Sequence, residues 1–362
     1  MTSTSELFDQ VRVLCRRLGE RPIQIMEVCG THTMSIARSG MRPMLPSNLT
    51  LLSGPGCPVC VTPQGYVDQA LALTAGQYGP APIIATYGDM VRVPGRHQSL
   101  ADARATGATV EVVYCADQAV DLAKRTRDRD VVFLAVGFET TTPATALAVL
   151  RAQREGVNNF SVLTAHKVIL PAMEALLSGG QTRVDGFLCP GHVSIMLGWG
   201  AFDPIAKRYA KPCVVAGFEP AQILAGVVGI LEQLVEGCAE AASVYPAVRR
   251  EGNAAAAAIV GQVFEPGDSN WRAIGVIPGS GMILRGAFAQ FDAKVRYALA
   301  QPEDYETVGC RCGEVITGRC RPGECGLFGK ACTVVNPIGP CMVSSEGACA
   351  AAYKYERGQD RG

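Results

Sequence analysis

The sequence predicts an α/β protein: two Rossmann-like parallel-sheet domains facing a cleft, followed by a cysteine-rich C-terminal domain. Three observations predict it. Short β-rich apolar runs alternate with amphipathic stretches, the pattern of strands joined by helical crossovers in parallel sheets. Nearly every apolar run then ends in polar, glycine-containing or reactive residues, the usual composition of the ligand-binding edge of an open parallel sheet. Finally, seven of the fifteen cysteines, Cys310, Cys312, Cys320, Cys325, Cys332, Cys341 and Cys349, fall in the last 53 residues.

Length and composition set the limits. With 362 residues, 48% of them hydrophobic, the chain has material for roughly two to three domains of about 150 residues. Its 33 basic side chains balance 33 acidic ones, so no net positive field draws nucleic acid or an anionic membrane surface. Residues 1–22 are expected to form an N-terminal helix and lack the basic-then-apolar pattern of a signal peptide, so a cytoplasmic location is expected. Apolar stretches such as 223–231 are glycine-broken and shorter than the roughly 20 residues of a membrane span. A reducing compartment favours metal or redox roles for the thiols over a disulfide framework.

Strands are expected at 23–28, 49–53, 83–87 and 110–114, forming a first domain over 23–130, and at 131–136, 160–164, 186–188 and 214–216 in a second domain over 131–300. Segments 62–75, 117–124 and 143–154 space their apolar residues as crossover helices do. In the first group the strand ends carry Cys29-Gly-Thr-His32, Gly54-Pro-Gly-Cys57-Pro-Val-Cys60, Gly88-Asp89 and Cys115-Ala-Asp117. Those of the second carry Gly137-Phe-Glu139, His166-Lys167, Cys189-Pro-Gly-His192 and Gly217-Phe-Glu219. Helices are expected at 221–235 and 245–263, then a late strand at 273–277 ending in Pro278-Gly-Ser-Gly281, before a last domain over 301–362.

The tail cannot be one helix, because Pro322, Pro337 and Pro340 lie among its cysteines. Cys325, Cys332, Cys341 and Cys349 are separated by six, eight and seven residues, a wrapping loop able to present four thiolates to an iron–sulfur cluster or to zinc. The paired two-residue spacings of structural zinc are missing there, and buried metal-free thiols are the bland alternative. Cys310, Cys312 and Cys320 rank as surplus or alternative ligands.

Cys57-Pro58-Val59-Cys60 leaves a strand and opens a helix, where the helix dipole lowers a thiol pKa and suits a redox pair; half of a zinc site is the competing reading. Cys29 leaves its strand into Gly30-Thr31-His32, so a bound ion meeting thiolate and imidazole stands level with simple core packing. His166 and His192 divide the same way between ligand roles and helix capping or core filling. Thr142 before Pro143 reads as a helix N-cap. No phosphate loop, nucleophile elbow or His-Glu-x-x-His site is present.

Taken together, Glu27-Val-Cys29-Gly-Thr-His32-Thr, Gly54-Pro-Gly-Cys57-Pro-Val-Cys60, Gly137-Phe-Glu139-Thr-Thr, Cys189-Pro-Gly-His192-Val-Ser and Gly339-Pro-Cys341-Met-Val-Ser-Ser-Glu-Gly-Ala-Cys349 closely resemble the HypD family of [NiFe]-hydrogenase maturation proteins. That resemblance, which runs from about residue 21 to Tyr355, implies two α/β domains and a third holding a [4Fe-4S] cluster. It implies a scaffold on which iron acquires cyanide and carbon monoxide, in complex with a small HypC-type chaperone, docking a HypE-type cyanide donor and indirectly serving the hydrogenase large subunit. On this chain Cys29 would hold the iron jointly with a chaperone cysteine, Cys57 and Cys60 would be the redox pair, and Cys325, Cys332, Cys341 and Cys349 the cluster ligands. His32, His192 and Glu139 would belong to the reaction site, the last two lining the cleft. A cluster-linked protein disulfide oxidoreductase is the alternative from another class, and a zinc-stabilised interaction protein a third.

Overall fold

The computed structural model describes residues 3–180, 183–303 and 305–356, so the outermost residues of the expected first and last segments lie outside it. Along the chain come α1 (Thr4–Arg17), β1 (Ile23–Glu27), α2 (Gly30–Ser39), β2 (Leu49–Ser53), α3 (Pro58–Val61), α4 (Gln64–Thr74), β3 (Ile83–Thr86), α5 (Gly88–Val91), α6 (Leu100–Ala105) and β4 (Val110–Val112). Next are α7 (Ala116–Arg125), β5 (Val131–Gly137), α8 (Thr142–Glu155), β6 (Phe160–His166), α9 (Ile169–Ser178), β7 (Gly186–Pro190), α10 (Gly191–Leu197), α11 (Asp203–Tyr209), β8 (Cys213–Ala216), α12 (Pro220–Glu236) and β9 (Ala241–Ser243). Last are α13 (Ala254–Val263), β10 (Phe264–Trp271), β11 (Gly275–Leu284), α14 (Ala293–Arg296), α15 (Cys312–Ile316) and α16 (Ala348–Tyr355). Among the described residues no helix is long and apolar enough to cross a membrane.

Two parallel sheets form, as expected for an α/β chain, but they do not divide where the sequence suggested. The first has the order β2-β1-β7-β8-β9 and the second β4-β3-β5-β6. The expected boundary at 130/131 therefore falls inside the second sheet, between β4 and β5, and β7 and β8 return to the first. The reason is register: Ile25, Met26 and Glu27 of β1 pair with Gly186, Phe187 and Leu188 of β7. An apolar run reports that a strand exists, not which strand it pairs with.

Burial follows from the layers. Every residue of β5, Val-Val-Phe-Leu-Ala-Val-Gly, is buried, as a strand covered by helices on both faces must be. α1 starts with a Ser3–Glu6 capping box and lays Leu7, Phe8, Val11 and Leu14 against α12 and the first sheet. α7 and α8 cover the outer face of the second sheet. Between the two sheets lies one continuous apolar cluster, including Met26, Leu52, Phe187, Ile84, Val132 and Leu134, and it also holds Cys57, Cys60, Cys312 and Cys341.

The region after 240 departs furthest from expectation. Only 254–263 of the expected 245–263 helix is helical, and the late strand belongs to an antiparallel hairpin of β10 and β11. Pro266-Gly-Asp-Ser-Asn270 in β10 has poor strand propensity, so no apolar run announced it. Pro278-Gly-Ser-Gly281 lies within β11 rather than after it. Thr141, not Thr142, is the N-cap residue of α8, and the Thr142 hydroxyl instead donates to the Phe138 carbonyl at 3.1 Å.

Two glycines give opposite expectations. A Cβ on Gly226 in α12 would stand 2.6 Å from Leu188 Cδ1 and 2.9 Å from Ala216 Cβ, so Gly226→Val should lose about 1–3 kcal/mol by overpacking. Gly261 in α13 meets nothing within 4 Å, and Gly261→Ala should gain up to about 1 kcal/mol from helix propensity. Urea midpoints of the two variants check both signs.

Candidate functional site

In the first sheet the chain moves from β1 outward to β2, and from β7 outward the other way to β8 and β9. The carboxyl ends of β1 and β7 thus flank a topological switch point, where open parallel sheets bind ligands. Cys29 leaves β1 there as the N-cap residue of α2, in an extended conformation, while Gly191 and His192 leave β7. The loop after β2 is pressed onto the same point. The Gly30 N–H donates to the Gly56 carbonyl at 3.1 Å, and a Cβ on Gly56 would fall 2.2 Å from the Cys29 nitrogen, so only glycine fits.

Cys29 is 8% exposed. Burial pushes its thiol up to about 12, with the Glu346 carboxylate adding and the N–H groups of His32 and Thr31 opposing. Glu27 accepts from the Thr33 hydroxyl at 2.6 Å and from the Cys29 N–H at 3.4 Å. Burial lifts its carboxyl to about 7 against the pull of Thr33 and Arg42. Cys29 therefore rests as a thiol at neutral pH.

His32 is fully buried, and its Nε2–H donates to the Gly217 carbonyl at 2.9 Å. Burial lowers its pKa to about 4, so the ring is neutral and the lone pair sits on Nδ1, which has no hydrogen-bond partner. Phe218 lies between this ring and the exposed ring of His192, at centroid distances of 5.1 and 4.1 Å. Sequence motifs far apart in the chain thus converge: Cys29 and His32 from β1, Phe218 from β8, His192 from β7.

Cys57 and Cys60 are joined as a disulfide, with Cα atoms 5.3 Å apart, and both are buried. Arg272 braces the turn that carries them: its backbone N–H donates to the Val61 carbonyl at 2.9 Å, Nε to Cys60 O at 3.1 Å and a terminal nitrogen to Thr62 O at 2.9 Å. Nothing in the sequence singled out Arg272; it is an isolated arginine in a polar stretch, and only the fold brings it to the cysteines.

Glu139 sits at the end of β5, on the other sheet from Cys29. Its Oε1 accepts the Ile169 N–H of α9 at 2.8 Å, while buried Oε2 has no hydrogen-bond partner, and burial lifts the carboxyl to about 7. Next to it, His166 bonds Thr145 Oγ1 through Nε2 at 2.8 Å and is lowered to about 4 by burial. Buried Lys167 donates to Ser269 Oγ at 2.8 Å and to the Asn270 carbonyl at 2.6 Å, with Nζ 5.0 Å from the Trp271 ring centroid.

In the tail the structure brings forward thiols that ranked low in the sequence. Cys312 Sγ lies 2.8 Å from Cys341 Sγ. Hydrogen bonds from Cys310 and Cys341 hold the Cys312 thiol low, helped by Arg272, and the same contacts push Cys310 and Cys341 up; Cys349 bonds Cys341 in turn. Cys332 accepts the Ile338 N–H at 3.4 Å, and burial pushes its thiol up. Cys320 turns away, donating to the Arg321 carbonyl at 3.1 Å. Among the described residues no three His, Cys, Asp or Glu side chains stand at metal-holding distances. The donor chemistry nonetheless fits an iron–sulfur cluster: a surplus of thiols, an apolar shell and an N–H aimed at sulfur.

The same tail closes over the switch point. Asp89, after β3, accepts from Ser344 Oγ at 3.2 Å and from the Ser345 N–H and hydroxyl at 2.8 and 2.7 Å. One residue further, Glu346 accepts from Thr31 Oγ1 at 2.8 Å. Gly30 has no room for a side chain because a Cβ there would lie 2.4 Å from Glu346 Cβ.

The family model for HypD, described as the hydrogenase formation hypA family, matches residues 2–356. The chain is 45% identical over 354 residues to the hydrogenase maturation factor HypD of Azotobacter vinelandii, covering 96% of this chain and 93% of that protein. It is 45% identical over 358 residues to HypD of Rhodobacter capsulatus, with coverage of 96% and 94%. To HypD of Escherichia coli K12 it is 42% identical over 341 residues, with coverage of 94% and 91%.

Glu27 and Glu139 predict a pH dependence. Each has a folded pKa near 7 against 4.5 for the ordinary carboxyl, so the native state holds more protons than the unfolded chain between those values. Stability is therefore expected to fall as pH rises through that window. Glu139→Gln removes one such group without disturbing the Ile169 bond; at pH 8 it should exceed the parent in stability by up to about 3 kcal/mol, the gap closing towards pH 5. Urea unfolding at the two pH values checks this.

Proposed function

The chain belongs to the HypD family and acts in hydrogenase maturation, and we propose that its part is to be the scaffold on which a ferrous atom receives cyanide and carbon monoxide. The observation that carries this reading is the meeting of Cys29, the Cys57–Cys60 loop and the cysteine-rich tail at one switch point. Soft thiolates suit low-spin iron bearing strong-field diatomic ligands. Cys29 is the thiol at the crevice, and a HypC-type chaperone would add a cysteine of its own. The positive charge of the incoming iron draws the proton from Cys29 Sγ, which burial otherwise retains. His32 stays neutral beside it, and His192 forms the exposed rim.

Cys57 and Cys60 store two electrons: forming their disulfide from two thiols releases two electrons and two protons, and reduction takes them back. A [4Fe-4S] cluster held by Cys325, Cys332, Cys341 and Cys349 would supply single electrons when bound. Cys312 shares the apolar core with Cys60, and Arg272 serves both, bonding the Cys60 carbonyl and stabilising charge on Cys312. Cyanide would arrive from a HypE-type donor, and the finished iron group would pass through the chaperone to the hydrogenase large subunit. Glu139 and Lys167 offer a carboxyl and a cation at the second sheet's edge.

A second reading, a cluster-linked protein disulfide oxidoreductase, has that same adjacency of Cys312 and Cys60 in its favour. Burial of both sulfurs counts against it, since a partner's disulfide has to reach a sulfur to exchange with it.

Infrared spectra of anaerobically purified protein with its chaperone separate the readings. Cyanide and carbonyl stretching bands on iron are expected, lost in Cys29→Ala while iron and acid-labile sulfide in the tail persist. Bands surviving in Cys29→Ala remove that thiol from its role, and efficient disulfide turnover without any bands supports the oxidoreductase. Cys341→Ala should lose tail iron and sulfide together.

A further inference from the structure

A thiol that shares an iron atom with a partner's cysteine has to be reached from outside, and Cys29 in this structure is covered. Two segments cover it. The loop after β2 is tied in by backbone bonds that extend the sheet, Gly54 N–H to Glu27 O at 2.8 Å and Gly30 N–H to Gly56 O at 3.1 Å. The tail segment Ser344–Glu346 is held differently. It lies in irregular backbone between Cys341 and α16, and its bonds to the sheet edges run through the side chains of Asp89 on one side and Thr31 on the other.

We propose that Ser344–Glu346 is a lid over Cys29, latched to the second sheet by Asp89 and to the first by Thr31, which a partner presenting its own thiol displaces. The purpose assigned to the lid rests on reading Cys29 as the iron-holding thiol. Its ends are fixed: Ser344 N–H bonds the Pro340 carbonyl at 3.0 Å, and Gly347 packs so closely that a Cβ there would stand 2.1 Å from the Cys341 carbonyl oxygen. Opening is therefore a local swing of a few residues that leaves the tail thiols in place. Gly30 is the seat of the lid, because any side chain there would meet Glu346. The crossing from one sheet edge to the other also explains why this segment carries two serines and a glutamate in place of apolar residues: each polar group meets a partner at one of the two edges.

Alkylation of Cys29 by iodoacetamide in the intact chain, followed by peptide mass spectrometry, tests the lid. A buried thiol reacts through the open fraction, so loss of the three charge-assisted bonds in Asp89→Ala should raise the Cys29 rate by about tenfold. Thr31→Val should raise it from the other side, and Thr31→Ser, which keeps the hydroxyl, should restore the parent rate. Cys15 and Cys189, buried elsewhere, should react as slowly as before. The proposal is overturned if both Asp89→Ala and Thr31→Val leave the Cys29 rate within about twofold of the parent, or if Cys15 and Cys189 speed up in step, which would report loosening of the whole fold. Labelling reads the lid whether or not Cys29 binds iron, whereas the infrared bands in Cys29→Ala read the iron role alone.

Discussion

The parallel pairing of β1 with β7 is the constraint on which the rest depends. β1 already has β2 on its other side, so the chain between β2 and β7 must leave the first sheet and come back. That excursion is long enough to build a whole second sheet, which then packs against the first through a shared apolar cluster. Pairing β1 with β7 also creates the switch point, because α2 and α10 leave the adjacent strand ends towards opposite faces, Ile36 joining one core and Val193 the other. The crevice between them is where Cys29 and His192 emerge.

Two consequences follow for the thiols. Residues at the end of β2 have nowhere to go but across the end of β1, which is why the turn carrying Cys57 and Cys60 lies on the backbone of Cys29 and why Gly56 is needed between them. The tail, last in the chain, bridges the two sheet edges, meeting Asp89 on one and Thr31 on the other. The disulfide and the buried tail thiols Cys312 and Cys341 are thereby drawn into the same low-dielectric core, where a charge on one sulfur is felt strongly by the next.

How much of this could be read in advance divides along physical lines. β2 runs Leu49–Ser53 as expected, and the other central strands lie within a few residues of expectation, because buried parallel strands are continuous apolar runs. Reactive residues at strand ends were legible for the same reason: a polar, glycine-containing stop after an apolar run has few explanations. Strand partnership was not, since β7 is an ordinary apolar run whose choice of β1 depends on the tertiary fold. Arg272 was invisible, and although Asp89 stood at an expected strand end and Glu346 inside a quoted motif, a charged residue in a loop is usually solvated, so only three-dimensional proximity shows what each one holds. The tail was less legible: Cys310 and Cys312 ranked only as surplus or alternative ligands, because spacing does not show that α15 begins at Cys312 and turns its thiol towards Cys341.

The electrostatics of the crevice suit temporary holding more than permanent binding. Burial acts on Cys29, Glu27 and His32 in the same sense, towards the neutral form, although two are acids and one a base. These three groups are thus held towards their neutral forms, and on the scaffold role proposed above an incoming ferrous ion would have to ionise a Cys29 thiol that the fold prefers neutral. Part of the metal–thiolate attraction would then be spent against that preference, lowering net affinity without removing a ligand. A resident cofactor would gain nothing from such an arrangement. If the proposed role holds, iron gripped while its diatomic ligands are added and then surrendered would be served by an anchor that reprotonates on release, and the burial that raises the Cys29 pKa would provide it.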